Sequence, residues 1–258
     1  MVLMCDRLIE LPDHGRLIVV TDLHGDFDDY SHYLNLWDET DPDFHIVFCG
    51  DLIHGIDEDT DGSVEILDDA IARSEKYSNF HTLLGNHEWA HITKREIYKN
   101  QRPLLSGFKN LISYRKGCIE PHLTDYIKFF KTMPYFVKTA NGMFISHSGP
   151  SDKVRSIEIF YELIDSGYSC PILHDFLWNR HDRATDYTRD DVDRFLDIVG
   201  SKVMVVGHSP VESYKVFANQ IIMSSSFATK VKTYLDIDLA MEIDDIKDVQ
   251  KQLKFIIE

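Results

Sequence analysis

Positive charge is scarce in this chain. Against 43 Asp and Glu stand only 27 Lys and Arg, a formal net charge of −16 over 258 residues. Such a surface repels polyanions, so no nucleic-acid polymer is expected as a partner unless metal ions reverse the sign locally. It also disfavours nonspecific binding to anionic membranes. Cysteine is scarce too. Cys5, Cys49, Cys118 and Cys170 lie far apart with no CxxC pair, which suits reduced thiols in a cytoplasm better than a disulfide framework. Cys49 sits inside an apolar run and reads as a small core residue. No apolar stretch reaches the length of a membrane span, and Asp6 and Arg7 interrupt the N-terminus before any long apolar run. Neither a spanning helix nor a signal peptide is expected, and the expected location is cytoplasmic. Internal repeats, low-complexity tracts and Gly/Ser-rich linkers are also missing, so one domain over 1–258 is the expectation.

What is present is a globular composition, 43% apolar and 27% charged, long enough for one sizeable core. "RLIVVTD" (16–22), "HIVFCGD" (45–51) and "FHTLLG" (80–85) read as buried strands. Between and after them, 26–39, 63–77 and 87–100 have helical patterns, giving a β-α-β-α-β rhythm. That rhythm implies parallel strands with right-handed crossovers, in which ligands bind beyond the carboxyl ends of strands. Asp22, Asp51 and Asn86 fall there. The middle, 101–134, is helix-like. Strands resume at "YFVKTA" and "GMFISHS", joined at Asn141-Gly142, a hairpin signal. "SKVMVVGHS", "YKVFANQIIMSS", with a turn expected at Asn219-Gln220, and "VKTYLDIDLA" follow. The tail from Asp244 carries Ile246, Val249, Leu253 and Ile256 at helical spacing and reads as a packed terminal helix.

Polar clusters cap five of these apolar runs: Asp22-Leu23-His24, Gly50-Asp51, Gly85-Asn86-His87-Glu88, His147 in "ISHSGP" and His208 in "VVGHSP". Burying carboxylates and imidazoles at strand ends is costly unless something pairs them, and divalent metals would. Asp and Asn oxygens mixed with His nitrogens suit manganese, iron or zinc rather than calcium or a thiolate zinc site. Any one of these histidines alone is more simply a satisfied polar residue. The ordered set is what points to metal.

As a set, "DLHGD", "GDLIHG", "GNHE", "SHSG" and "GHSP" resemble the signatures of the calcineurin-like metallophosphoesterases, and within them the bacterial and archaeal type of the phosphoprotein phosphatase branch. The resemblance spans about residues 17–238. It implies a four-layer α-β-β-α sandwich with two mixed sheets. It implies two divalent or trivalent metal ions bridged by Asp51, manganese first, with iron, zinc or nickel as alternatives. Asp22 and His24 would complete the protein ligands of one metal, and Asn86, His147 and His208 those of the other. A bridging hydroxide would attack phosphorus in line while His87 protonates the leaving group, with no phosphoenzyme. Pro210 stands where many nucleases of the superfamily have a second ligating His. That departure points to monoester substrates: phosphoserine or phosphothreonine in proteins, or a small phosphate ester. A dinucleoside polyphosphate hydrolase (Ap4A-type) is the alternative enzyme, and a noncatalytic acidic scaffold the alternative of another class.

The chain leaves the family's pattern at His54 and Gly55, where an Asp-Arg pair is usual. His54 either faces the cleft, touching phosphate or His87, or is a solvent-facing loop residue. Without Arg at 55 a phosphate clamp must come from elsewhere. Trp178-Asn179-Arg180 is similar to a WxR element of bacterial relatives, which favours Arg180 over Arg183. Arg95 reads as a solvated helix face. "DEDTDGSVEILD" (57–68) has acidic residues at the first, third and fifth positions of a calcium loop. Its twelfth is Asp68, and a buried strand precedes it instead of a helix. It is expected to be an acidic loop in which Asp61 or Ser63 caps the next helix.

Overall fold

A computed structural model describes residues 7–55, 57, 59–99, 101–183, 185–226 and 229–257; Cys5 lies outside them. The strands, in chain order, are β1 (Leu8–Leu11), β2 (Arg16–Val20), β3 (Phe44–Phe48), β4 (Phe80–Thr82), β5 (Tyr98–Lys99), β6 (Arg102–Pro103), β7 (Phe136–Thr139), β8 (Met143–Ser146), β9 (Val203–Val206), β10 (Tyr214–Phe217), β11 (Gln220–Met223), β12 (Val231–Asp238) and β13 (Leu253–Ile257). The helices are α1 (Phe27–Leu36), α2 (Ser63–Lys76), α3 (Asn86–Thr93), α4 (Leu104–Lys116), α5 (His122–Thr132), α6 (Ile157–Ile164), α7 (Pro171–Trp178), α8 (Arg189–Val199) and α9 (Ile246–Gln250).

Two mixed sheets form. One runs β1-β7-β8-β9-β11-β10 and the other β13-β12-β2-β3-β4. Alternation along each strand explains how they stack. Leu17, Val19 and Val47 of one sheet join Val137, Ile145, Val203 and Val205 of the other in a single buried cluster. Their neighbours Ile18, Val20, Ile46 and Phe48 point the other way, against Tyr30 and Tyr33 of α1 and Ile66, Leu67 and Ala70 of α2. Phe136, Phe144 and Met204 likewise meet Phe160, Phe176 and Phe195 of α6, α7 and α8. The result is the four-layer sandwich, helices outside and sheet against sheet within. Each fully buried Val, Leu or Ile contributes about 1.5–3 kcal/mol, so a one-residue slip of any strand would be prohibitive.

Two segments depart from the sequence reading. The pattern over 87–100 is not one helix: α3 stops at Thr93, and Lys94 caps it in the left-handed conformation. The chain then turns back as the short β5-β6 hairpin. The tail is not a packed helix either. After the five-residue α9, Leu253–Ile257 pairs antiparallel with β12. Ile256 and Leu253 fit a helical period, but the open edge of β12 offers backbone partners that a terminal helix would leave unpaired. The β10-β11 turn falls on Ala218-Asn219, one residue earlier than expected.

Candidate metal and phosphoryl site

β2, β3 and β4 are adjacent and parallel in one sheet, and β8 and β9 adjacent and parallel in the other. Their carboxyl ends therefore bring five loops to one place. Asp22, His24, Asp51, Asn86, His147 and His208 are all buried there. Main-chain bonds tie the loops together. Leu23 and His24 N–H both donate to the Asp51 carbonyl at 3.0 and 2.9 Å, and Gly25 N–H donates to that of Leu52. Thr21 N–H donates to Ser225 Oγ at 2.8 Å, and Thr21 Oγ1 to the Met223 carbonyl at 2.9 Å, which fastens one sheet to the other beside the site.

The backbone is forced to make this convergence. His24, Asp51, His54 and His208 all have positive φ, at 48, 53, 72 and 62°, a conformation that costs non-glycine residues about 1–3 kcal/mol. Glycine is required beside them for closeness: a Cβ at Gly207 would strike Asp22 Oδ2 and Thr21, and one at Gly50 would strike the Gly85 backbone.

The side chains orient one another. His208 N–H donates to Asp22 Oδ2 at 2.8 Å, and His87 N–H to Asp51 Oδ1 at 3.0 Å. The ring Nδ1 atoms of His147 and His24 face the Cys49 and Ile53 carbonyls at 2.9 and 3.3 Å, which leaves each Nε2 turned toward the centre. The Nε2 atoms of His147, His87 and His24 stand 3.6, 3.7 and 3.9 Å from Asp51 Oδ2. These separations are too long for hydrogen bonds. His147 Nε2 is instead within hydrogen-bond distance of Asn86 Oδ1, at 3.0 Å. Among the described residues His208 Nε2 is buried with no hydrogen-bond partner, an arrangement that costs free energy unless a cation occupies that lone pair. The donor set therefore fits metal ions. Donor atoms of Asp22, Asp51, His147 and His208 lie within 4.8 Å of one another, as do those of His24, Asp51 and His87. Asp51 belongs to both groups. Asp22 shares the first group with His208, from whose N–H it accepts, and His24 and His87 share the second.

Electrostatics point the same way. Burial, then the charge of Asp22, pushes the Asp51 carboxyl well above the usual carboxylate range. Burial and then Lys99 depress His24 to about 4. Burial followed by His24 and His54 holds His87 well below an ordinary histidine, and burial followed by His147 does the same to His208. Each of these shifts is unfavourable for the charged form, and a bound cation reverses the sign for the carboxylates.

Three further residues enter from the structure. Glu88 is fully buried, and its carboxylate accepts from the N–H groups of Asp51, Leu52 and Gly85 at 3.0, 2.9 and 3.2 Å. It shapes the loop that carries Asp51, and burial plus the Asp51 charge lift it to about 7. Its place in "GNHE" was the only signal. His91, one turn after His87 on α3, bonds to His54: the two Nε2 atoms are 2.9 Å apart. An H-x-x-x-H spacing could have suggested it. Lys99, half-buried on β5, acts electrostatically on Asp51 and Asp22. It was hidden inside the misread helix.

His54 is buried and faces inward, with its Nδ1 2.7 Å from His87 Nδ1. Arg180 lies just past Asn179, the C-cap of α7. It is half-buried, its N–H donates to Asp186 Oδ2, and its charge is felt by Asp22 and Asp51. Arg183 is exposed and lines a separate cavity with Lys153 and Asp175. In the acidic loop, Asp61 accepts from Gly55 N–H at 3.0 Å and Ser63 N–H at 2.9 Å. Its carboxylate thus closes the turn into α2, whose N-cap residue is Gly62. No helix among the described residues is long and apolar enough to cross a membrane.

Comparisons with known proteins agree with this geometry. The family model for calcineurin-like phosphoesterases matches residues 15–212. A serine/threonine-protein phosphatase of Caenorhabditis elegans is 22% identical over 227 residues, covering 81% of this chain and 46% of that protein, so the chain spans about half of that relative's length. A protein serine/threonine phosphatase structure from Saccharomyces cerevisiae superposes with a TM-score of 0.71 at 16% identity, covering 96% of this chain and 82% of that one. A cold-active protein-tyrosine phosphatase of a Shewanella species gives 0.60 at 16% identity, covering 92% and 80%. At these identities the structures establish the fold. With the strand-end donor set in place and the family model matching most of its length, this chain belongs to the calcineurin-like phosphoesterases, which are hydrolases.

Proposed function

We propose that the protein hydrolyses phosphomonoesters, with phosphoserine and phosphothreonine in proteins as the substrate class. The observation that carries the reading is the set of imidazole Nε2 atoms around Asp51 Oδ2, together with the buried Nε2 of His208, which has no hydrogen-bond partner among the described residues. Asp22, His24, Asp51, Asn86, His147 and His208 would hold two metal ions, manganese first, with iron, zinc or nickel as alternatives. Bound there, the ions supply Lewis acidity that acidifies water and screens phosphoryl charge. The protein's own groups do the rest. Arg180 holds the phosphoryl oxygens. His87 carries the proton for the leaving oxygen, and His54 fixes its ring through Nδ1. An incoming phosphoryl dianion raises His87 from its depressed state by favouring the imidazolium. The serine/threonine phosphatases among the relatives support the phosphoprotein substrate.

The test is a substrate panel after reconstitution with Mn, Mg, Zn or Ca: phosphopeptides, an aryl phosphate, nucleotides and diadenosine polyphosphates. Turnover of phosphopeptides and the aryl ester is the expected result. Turnover of dinucleoside polyphosphates alone would assign the Ap4A-type reading. No metal uptake and no turnover would leave the scaffold.

A further inference from the structure

A cavity of about 730 Å³ lies beside the site, with His54 and Gly55 among its lining residues. One wall is the β5-β6 hairpin with Lys99, Arg102 and Pro103, and the floor is one face of α4. None of the roles above uses it. We infer that this cleft binds the polypeptide flanking the phosphorylated residue, and that it selects acidic side chains accompanied by an apolar one. The inference rests on the phosphoprotein reading and names the substrate within it.

Shape argues for a peptide. The lining positions on α4 are 104, 107, 108, 110, 111, 114 and 115, spaced three and four apart along one broad helix face. At 1.5 Å per residue they span about 16 Å. An extended chain of about five residues covers that length at roughly 3.3 Å each. A nucleoside would fill only part of it.

The lining chemistry argues for the sequence preference. Leu104, Phe108 and Leu111 give the floor apolar character, and Tyr114, 81% exposed, stands at the rim. Three cations, Lys99, Arg102 and Arg115, border the cleft in a protein of net charge −16. Arg115 is already paired with Glu65, Nε to Oε1 at 3.5 Å, and two carboxylates also line the cleft: Asp61, which accepts from Gly55 and Ser63 N–H, and Asp59. The lining still holds one more cation than carboxylates, and the hairpin wall with Lys99 and Arg102 is its positive side in a chain that is negative as a whole. Lys99 stands at the junction, acting on Asp22 and Asp51 from the hairpin, so an acidic flank would run directly on from the scissile phosphate. Gly107 keeps the floor open: an added Cβ there meets nothing within 4 Å. A mid-helix glycine weakens a helix relative to alanine, and here it leaves room for a ligand.

The test has two arms. In the first, metal-free protein is titrated with fluorescein-labelled, unphosphorylated peptides of acidic-apolar, neutral and basic sequence, read by anisotropy. At least tenfold tighter binding of the acidic-apolar peptide is expected, with the preference lost in Lys99→Gln/Arg102→Gln and binding lost in Gly107→Leu. Lys128→Gln, an exposed cation on α5 paired with Asp125, should change nothing. Equal binding of all three peptides, or binding indifferent to Gly107→Leu, overturns the inference. In the second arm, metal-loaded protein is assayed with phosphopeptides of the same flanks and an aryl phosphate. A tenfold higher kcat/KM for the acidic flank, collapsing toward the neutral value in Lys99→Gln/Arg102→Gln, is expected. Turnover of every ester without flank preference overturns the cleft but leaves the phosphatase standing. No turnover of any ester fails the phosphatase reading, while the binding arm still decides the cleft. Gly107-dependent binding of a dinucleoside polyphosphate but of no peptide would assign the cleft to nucleotides and overturn the peptide.

Discussion

His54 and His87 face each other through their Nδ1 atoms, 2.7 Å apart. One of the two must carry the proton and the other accept it, so neutral His54 can hold the ring of His87 but brings no negative charge to it. Its far side is fixed by His91, and Phe108 packs against the ring. A carboxylate at this position would orient His87 and stabilise its imidazolium as well. His54→Ala is therefore expected to lower kcat for a phosphoserine peptide by about ten- to a hundredfold, and to matter less for an aryl phosphate, whose leaving group needs little proton assistance. His54→Asp should move the alkaline limb of the kcat–pH profile to higher pH, because a carboxylate neighbour raises the histidine it touches. Equal rates for wild type and His54→Ala on both esters across pH would remove His54 from the mechanism.

The same histidine chain sets a pH dependence of stability. His91 is buried, and desolvation followed by Lys109 lowers it to about 3. In the unfolded chain it titrates near 6.5. The unfolded state therefore takes up a proton as pH falls below 6.5 while the folded state does not, and stability declines across that window toward 3. At pH 5 the loss from this one group is about 2 kcal/mol. His91→Gln should flatten the decline by that amount, read as the difference in urea unfolding free energy between pH 7 and pH 5. An identical slope in the variant would refute the assignment.

Metal should stabilise the fold through Asp51, which shares both donor groups. A cation that binds only the folded state adds about 2.7 kcal/mol at a hundred times its Kd. Thermal unfolding of the wild type is expected to shift upward with manganese, and Asp51→Asn to abolish the shift while leaving the metal-free midpoint close to wild type or above it. Burial disfavours the ionised form of this carboxyl, so removing its charge costs the metal-free fold little. A manganese shift that survives in Asp51→Asn would mean the metals sit elsewhere.

Arg180 feels both buried carboxylates. Arg180→Ala should raise KM or lower kcat for a phosphomonoester, about tenfold or more in kcat/KM, and Arg180→Lys should recover only part of this because a single ammonium cannot make a forked contact. Wild-type kinetics in both variants would sink the clamp.

Strand-ending motifs were legible because the physics behind them is local. An apolar run followed by Asp or His fixes both the strand and the residue just past it, and parallel pairing then brings Asp22, Asp51 and Asn86 together. The sandwich itself showed only through the family resemblance, since β8 and β9 reach the site from a different sheet and no local pattern says so. The hairpin bearing Lys99 was not legible. Its sequence continues the apolar spacing of α3, and only Lys94 in the left-handed region breaks the helix. β13 was missed for a related reason: its partner β12 supplies the reason to extend, and that partner lies outside the segment. Roles that depend on main-chain donors from three places, such as that of Glu88, leave almost no trace in side-chain patterns.

Glu88 is where removal of a single charge should be felt most widely. Oε2 accepts from Asp51 and Gly85 N–H and Oε1 from Leu52 N–H. In Glu88→Gln, one of these oxygens becomes an NH₂ group facing main-chain donors. Whichever way the amide turns, at least one buried N–H loses its acceptor, at about 1–3 kcal/mol each. The expected loss is roughly 2–4 kcal/mol by urea unfolding once the donor–donor contact is included. The effect should not stop at stability. Asp51 holds its strained φ of 53° with its N–H on Glu88 and its carboxylate on His87 N–H, so a loosened main chain moves the shared ligand. Manganese affinity measured by calorimetry should fall about tenfold or more, the usual scale for losing a partner that orients a metal ligand. A variant that unfolds earlier yet binds manganese as tightly as wild type would confine Glu88 to the fold. One that matches wild type in both would show that neither oxygen matters.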